Sequence, residues 1–119
     1  MSKKEKLTHR EKWPTVQVYK ITYPTGKIYI GSQPYLSYRY FGSPNRELLH
    51  EDFHKLPSSV QRDYTCRKEI LWEKENGTDK EMFAMENKLI IEHESNNPDI
   101  GYNRRPKYKG CTQSSNKNS

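Results

Sequence analysis

The stretch Val18-Tyr-Lys-Ile-Thr-Tyr-Pro-Thr-Gly-Lys-Ile-Tyr-Ile-Gly-Ser32 constrains the fold more than any other part of the chain. Two runs of β-formers flank Pro24-Thr25-Gly26, a three-residue loop in which Gly26 can take the positive φ that such hairpins need. This predicts a strand over 15–23 and its return over 27–32. With Tyr23 and Lys27 flanking the loop, the register follows: Tyr19 faces Gly31 and Ile21 faces Tyr29. Tyr19 and Tyr29 then share one sheet face as diagonal neighbours, roughly 7–8 Å apart by backbone spacing. Gly31 weakens its strand unless something must approach it closely, and it leaves room beside the Tyr19 ring. Taken alone, this pattern describes a packed pair of tyrosines over a glycine.

The rest of the chain gives shorter signals. Residues 33–46 mix Pro34, Gly42 and Pro44 with aromatics and predict a loop or a short broken helix. A short helix over 47–54 stops before Pro57, and 65–73 suits a third strand. Asn76-Gly77 closes that strand. Thr78 and Glu81 then form a capping-box pattern that opens a helix running to about Ser95, with Pro98 as its stop. The expected fold is therefore α+β, a small antiparallel three-stranded sheet flanked by helices in the order β-β-α-β-α. Only 31% of the 119 residues are hydrophobic and the mean hydropathy is −1.19, so the core must be small.

Charge divides the chain. Residues 1–13 carry five Lys or Arg against two Glu, and 104–119 carry five against no acid. The whole chain is +6, so the stretch between is slightly acidic. This predicts a basic flexible arm over 1–13, a folded domain over 14–106 and a basic tail over 107–119. Such ends bind polyanions non-specifically or simply keep a protein soluble. The sequence holds no run of the ~20 apolar residues that a membrane helix needs. Its first residues lack the apolar region of a secretory signal, which predicts a cytoplasmic protein. Cys66 and Cys111 fit no metal-ligand spacing.

The predicted helix carries one anomaly. At 100° per residue, Met82, Phe83, Met85, Leu89 and Ile90 form one apolar arc, with Glu86 in its middle. A carboxylate aimed at a core is costly unless it is paired, protonated or bound to a metal. His93 shares the arc but lies near the helix end. An ion pair with an arginine would make Glu86 structural, and Arg39, in the aromatic stretch 35–41, is its natural partner or neighbour.

These residues together resemble the GIY-YIG nuclease superfamily, which includes phage homing endonucleases, some restriction enzymes and a nuclease domain of bacterial excision repair. Tyr19 stands in the first half of its two-tyrosine signature, and Tyr29-Ile30-Gly31 in the second. Arg39 follows the second tyrosine by ten positions, as that family's arginine does. Glu86-Asn87 before Lys88-Leu89-Ile90 resembles its metal-binding helix, and Gly101-Tyr102-Asn103 its terminal motif. The likeness spans about residues 15–106, and Tyr40 to Ser43 is most similar to small phage-type members. Two positions depart: Gln17-Val18 replaces Gly-Ile before Tyr19, and Ser43 stands where many members carry His or Tyr. His50, His54 or Tyr40 are candidates for that missing role.

The resemblance implies a DNA endonuclease that hydrolyses phosphodiesters with one Mg²⁺ or Mn²⁺ ion held by Glu86. In that reading Tyr19, Tyr29, Arg39 and Glu86 are catalytic, with Tyr19 as base and Tyr29 as positioner. Arg39 holds the phosphate, while Gly31, Lys27, His50 and Asn103 support the site. Asn103 is expected to tie the exit segment to the site. Lys20 and Lys27 would lower the tyrosine pKa or bind phosphate, and Arg46, Arg104, Arg105 and Lys107 would contact nucleic acid. If phage-encoded, the protein would act in a bacterial host cell, as a homodimer or beside another DNA-binding protein. The alternative is a nucleic-acid-binding module that keeps the nuclease fold but has lost catalysis.

Overall fold

The structure, a computed structural model, describes residues 15–109. The predicted arm over 1–13 and most of the predicted tail lie outside the described residues. The chain runs β1 (Thr15–Thr22), β2 (Ile28–Gln33), α1 (Arg46–His54), α2 (Ser58–Arg62), β3 (Arg67–Glu75) and α3 (Asp79–His93). It is a small α+β fold whose antiparallel sheet has the order β2-β1-β3.

The hairpin register is the one its loop length requires, with Tyr19 opposite Gly31 and Ile21 opposite Tyr29. Gly26 has φ 90°, and its amide donates to the Tyr23 carbonyl at 2.9 Å to close the turn. The pairing of β1 with β3 shifts register between Val18 and Tyr19, a bulge that leaves Val16, Gln17, Val18 and Tyr19 all buried.

Each sheet face has its own core. On one, Val18 and Ile30 pack with Ile90 of α3, backed by Met85 and Leu89. On the other, Tyr19, Ile21, Tyr23, Tyr29 and Tyr102 form an aromatic cluster against Leu48 and Leu49 of α1. Both halves of the capping box form: the Thr78 hydroxyl accepts from the Glu81 amide at 3.1 Å, and Glu81 Oε1 accepts from the Thr78 amide at 2.9 Å. This fixes the start of α3, and with it the angular position of Glu86.

Three expectations change. Residues 58–62 form α2, a single turn after Pro57 that is too short for any hydrophobic period to announce. The third strand begins at Arg67, two residues later than expected. Phe83 leaves the apolar arc and is exposed, whereas Met82 and Ile90 are buried. Beyond residue 106 the chain is still held, for Asn97 Nδ2 donates to the Tyr108 hydroxyl at 3.1 Å.

Candidate functional site at the edge of the hairpin

β2 is an edge strand, and the segment after α3 lies along it. The Ile28 amide donates to the Ile100 carbonyl at 3.1 Å, and the Ile28 carbonyl accepts from the Tyr102 amide at 2.8 Å. Asn103 continues the seal with its side chain, accepting from the Ile30 amide and donating to the Ile30 carbonyl, both at 2.8 Å. Arg104 and Arg105 follow directly and are exposed. Beside this edge opens a cleft of about 460 Å³ lined by Tyr29, Ser43, Phe83, Glu86, Asn87, Ile90, Asn103, Arg104 and Arg105.

Glu86 enters the cleft half-buried. Its Oε1 accepts from the Ser32 hydroxyl at 2.9 Å. Among the described residues no Lys or Arg pairs with it, and no hydrogen bond reaches its second carboxylate oxygen. Burial pushes its pKa above the ordinary carboxylate value, and the Ser32 hydrogen bond opposes that only in part. The ion pair that would have made Glu86 structural is thus not formed by any described residue.

Tyr29 is the tyrosine at the cleft. Its hydroxyl accepts from the Ser43 amide at 3.0 Å, so its own proton is left for a cleft partner. Burial pushes its pKa up, the Ser43 amide pulls it down, and Glu86 and Tyr40 push it up again. Tyr19 is fully buried and does not line the cleft. Its hydroxyl has no hydrogen-bond partner among the described residues, and burial holds its pKa far above the usual phenol value, with Tyr29, Tyr40 and Glu86 adding to the shift. Of the two tyrosines, the one expected to be the positioner, Tyr29, lines the cleft, and the one expected to be the base, Tyr19, does not.

The glycines explain how two tyrosines fit. A Cβ at Gly31 would lie 2.5 Å from the Tyr19 hydroxyl. At Gly42, which has φ 74°, a Cβ would lie 2.7 Å from both tyrosine hydroxyls. The rings of Tyr19 and Tyr29 stand 6.4 Å apart, and Tyr40 meets the Tyr19 ring edge-on at 6.2 Å.

Several expected site residues lie elsewhere. Arg39 is exposed and lines a second cleft with Gln33, Tyr35 and Tyr40, so it neither pairs with Glu86 nor enters its cleft. Lys27 is bound to Asp52 at 2.8 Å near the hairpin turn, so it is not free for phosphate or for the tyrosines. Lys20 pairs with Glu69 at 3.5 Å and stands opposite Ile30, which places it on the α3 face of the sheet, away from the tyrosines. His50 and His54 pack against each other at 4.3 Å on the exposed side of α1, and neither lines the cleft. Of the three candidates for the role missing at Ser43, only Tyr40 touches the tyrosine pair. Arg46 is the exposed first residue of α1, and Lys107 lines a separate cleft with Asn87 and Tyr108.

Two contributors escaped the sequence reading. Ser32 sits in the quoted hairpin and could have been found from its place opposite Val18, on the face that α3 covers. Lys68 gave no local signal. Its ammonium sits 4.3 Å from the centre of the Tyr19 ring and donates to Gln33 Oε1 at 2.9 Å, to the Ser37 carbonyl at 2.8 Å and to the Tyr40 carbonyl. Burial lowers its pKa.

Among the described residues no group of three or more His, Cys, Asp or Glu converges on one point. Among the described residues that line the cleft, Glu86 is the carboxylate that could offer an oxygen to a hard cation. Such a donor suits Mg²⁺, which keeps most of its waters and binds through one or two carboxylates. The chain matches no protein-family model, no curated protein and no solved structure. No helix among the described residues is long and apolar enough to cross a membrane.

Proposed function

We propose that the chain is a metal-dependent DNA endonuclease of the GIY-YIG type, with the cleft along β2 as its active site. The observation that carries this reading is Glu86: a half-buried carboxylate with one oxygen engaged by Ser32, no cation among the described residues paired to it, and an open cleft before it. Carboxylates are rarely left so unless something else supplies the positive charge. The residue resemblance supports the same assignment.

In this reading Glu86 would hold a divalent cation, which would supply positive charge for the scissile phosphate and a more acidic bound water. Arg104 and Arg105 hold the phosphate through paired N–H contacts, a place the resemblance assigned to Arg39. Tyr29 acts as base in its phenolate form: the proton that faces the cleft is first lost to solvent, and the oxygen, held by the Ser43 amide, orients the attacking water and takes its proton. Asn103 keeps the arginines in register with Tyr29 by clamping Ile30, the next residue along β2. The role of Ser43 is carried by its backbone amide, so the missing His or Tyr at that position does not remove it.

The test is incubation of supercoiled plasmid with Mg²⁺ and with EDTA. Nicked or linear product forms only with Mg²⁺, and Glu86→Gln lowers its rate about a hundredfold or more while the circular dichroism spectrum is retained. Wild-type cleavage by the variant overturns the site. The exposure of Arg39 outside the cleft favours a second reading, a nucleic-acid-binding module without catalysis. That reading expects salt-sensitive DNA binding and no product under either condition.

A further inference from the structure

The loop between β2 and α1 displays its apolar side chains instead of burying them. Tyr35, Leu36, Tyr38, Tyr40 and Phe41 are all large and exposed, and Tyr38 is 84% accessible. Five such side chains within seven consecutive residues leave much apolar surface exposed, which a free-standing loop would normally fold away. Here the loop cannot collapse, because its backbone is fastened. Lys68 holds the Ser37 and Tyr40 carbonyls, and the Ser37 hydroxyl accepts from the Arg39 amide at 3.2 Å. Lys68 is itself anchored through Gln33 to Gln17, a buried pair of amides bridging β1 and β2.

The chemistry of the displayed face selects its partner. Residues 33–46 contain three tyrosines, a phenylalanine, Arg39 and Arg46, and no acid. Tyr35, Arg39 and Tyr40 line one open cleft of about 520 Å³ with Gln33 and Pro34. Aromatic faces interleaved with guanidinium groups bind flat, electron-rich rings linked by phosphates. A protein partner with the same apolar character would not need the two arginines. Tyr40 also meets Tyr19 edge-on, which sets this surface beside the Tyr29 cleft.

We propose that the 35–41 loop stacks on unpaired nucleobases, so that the ligand of this site is single-stranded or locally unpaired nucleic acid and not intact duplex. This rests on the nucleic-acid reading of the cleft and sharpens its substrate. In a duplex the base faces are already stacked on one another and the loop has nothing to receive. At an unpaired stretch the bases turn onto Tyr35, Tyr38 and Tyr40, Arg39 contacts the backbone, and the strand passes towards Glu86.

Fluorescence anisotropy in EDTA tests this without cleavage, using labelled oligothymidylate and a blunt duplex of equal length. The wild-type chain binds the single strand more tightly than the duplex. Tyr38→Ala weakens the single strand about tenfold, the scale of one lost base–aromatic stack, and Tyr38→Trp restores it. Tyr38 is almost fully solvated, so neither change disturbs the core. Equal or tighter duplex binding, or single-strand binding unchanged in Tyr38→Ala, overturns the stacking role while leaving the nuclease reading standing. If neither oligonucleotide binds, both readings fall. If sedimentation shows a dimer that Tyr38→Ala dissociates with single-strand binding intact, the surface belongs to a second copy of the chain and the proposal is overturned.

Discussion

The two ends of the hairpin use the same kinds of residue to opposite effect. At the turn, Tyr102, Asp52, Lys27 and Thr25 satisfy one another. The Tyr102 hydroxyl donates to Asp52 at 2.8 Å, Lys27 pairs with the same carboxylate oxygen, and Thr25 lies 2.7 Å from the Tyr102 hydroxyl. Since that hydroxyl gives its single proton to Asp52, Thr25 must donate to it. Burial pushes the Asp52 carboxyl up, but the hydrogen bonds from Lys27 and Tyr102 outweigh it and hold the group below its usual value. At the other end, Tyr19, Glu86 and Tyr29 have the same chemistry and are left incomplete among the described residues: a hydroxyl without a partner, a carboxylate without a cation, and a phenol that only accepts. A closed polar network stabilises and specifies a fold. An open one costs stability, and proteins keep such sites where a ligand completes them.

The contrast predicts that substitutions at the two ends act on different observables. The largest effect is on cleavage. Tyr29→Phe lowers the plasmid-nicking rate about a hundredfold or more, as expected for loss of a general base. Tyr19→Phe costs far less, because the lost hydroxyl has no partner among the described residues and does not reach the cleft. The reverse order in nicking rates would return the base role to Tyr19.

Next is stability at the turn. Tyr102→Phe removes a hydroxyl that bridges Thr25 and Asp52, and urea denaturation should show a loss of about 1–2 kcal/mol with the nicking rate unchanged. A variant that loses cleavage but not stability would mean that the two ends are coupled.

The smallest effect is a pH slope. The folded-state pKa of Glu86 lies above its unfolded value, so its contribution to stability is complete below the ordinary carboxylate pKa of 4.5. That contribution falls as pH rises through the folded pKa. Melting in EDTA from about pH 4 to about pH 7 should therefore show wild type losing ground to Glu86→Gln. Asp52 works in the opposite sense: its folded pKa is lowered, so its stabilisation is present above 3.8 and lost as pH falls through the folded value. Mg²⁺ should offset the Glu86 slope in wild type alone. A slope that is the same in both chains would show that Glu86 does not titrate in the fold.

What the sequence disclosed was local. The hairpin register followed from a three-residue loop, the helix start from Thr78 and Glu81, and the anomaly of Glu86 from its angle on the helix. Each depends on residues a few positions apart. What it concealed was long-range. Lys68 is an ordinary strand lysine until the fold brings the Ser37 and Tyr40 carbonyls to it, some thirty positions earlier in the chain. Lys27 looked available because its partner Asp52 lies on another element. Arg39 sits at the expected distance in sequence, but a loop fastened by Lys68 points it to a different cleft.

The seal along β2 has a consequence for how copies of this chain behave towards one another. An outer strand with vacant amides and carbonyls is a template on which a neighbour can lay its own strand. Here the outward groups of Ile28 and Ile30 are all occupied, by Ile100, Tyr102 and the Asn103 amide. At these two residues a neighbouring molecule finds no ladder to extend. The tether that brings two arginines to the cleft thus also takes up part of the β2 border that a second copy could otherwise pair with.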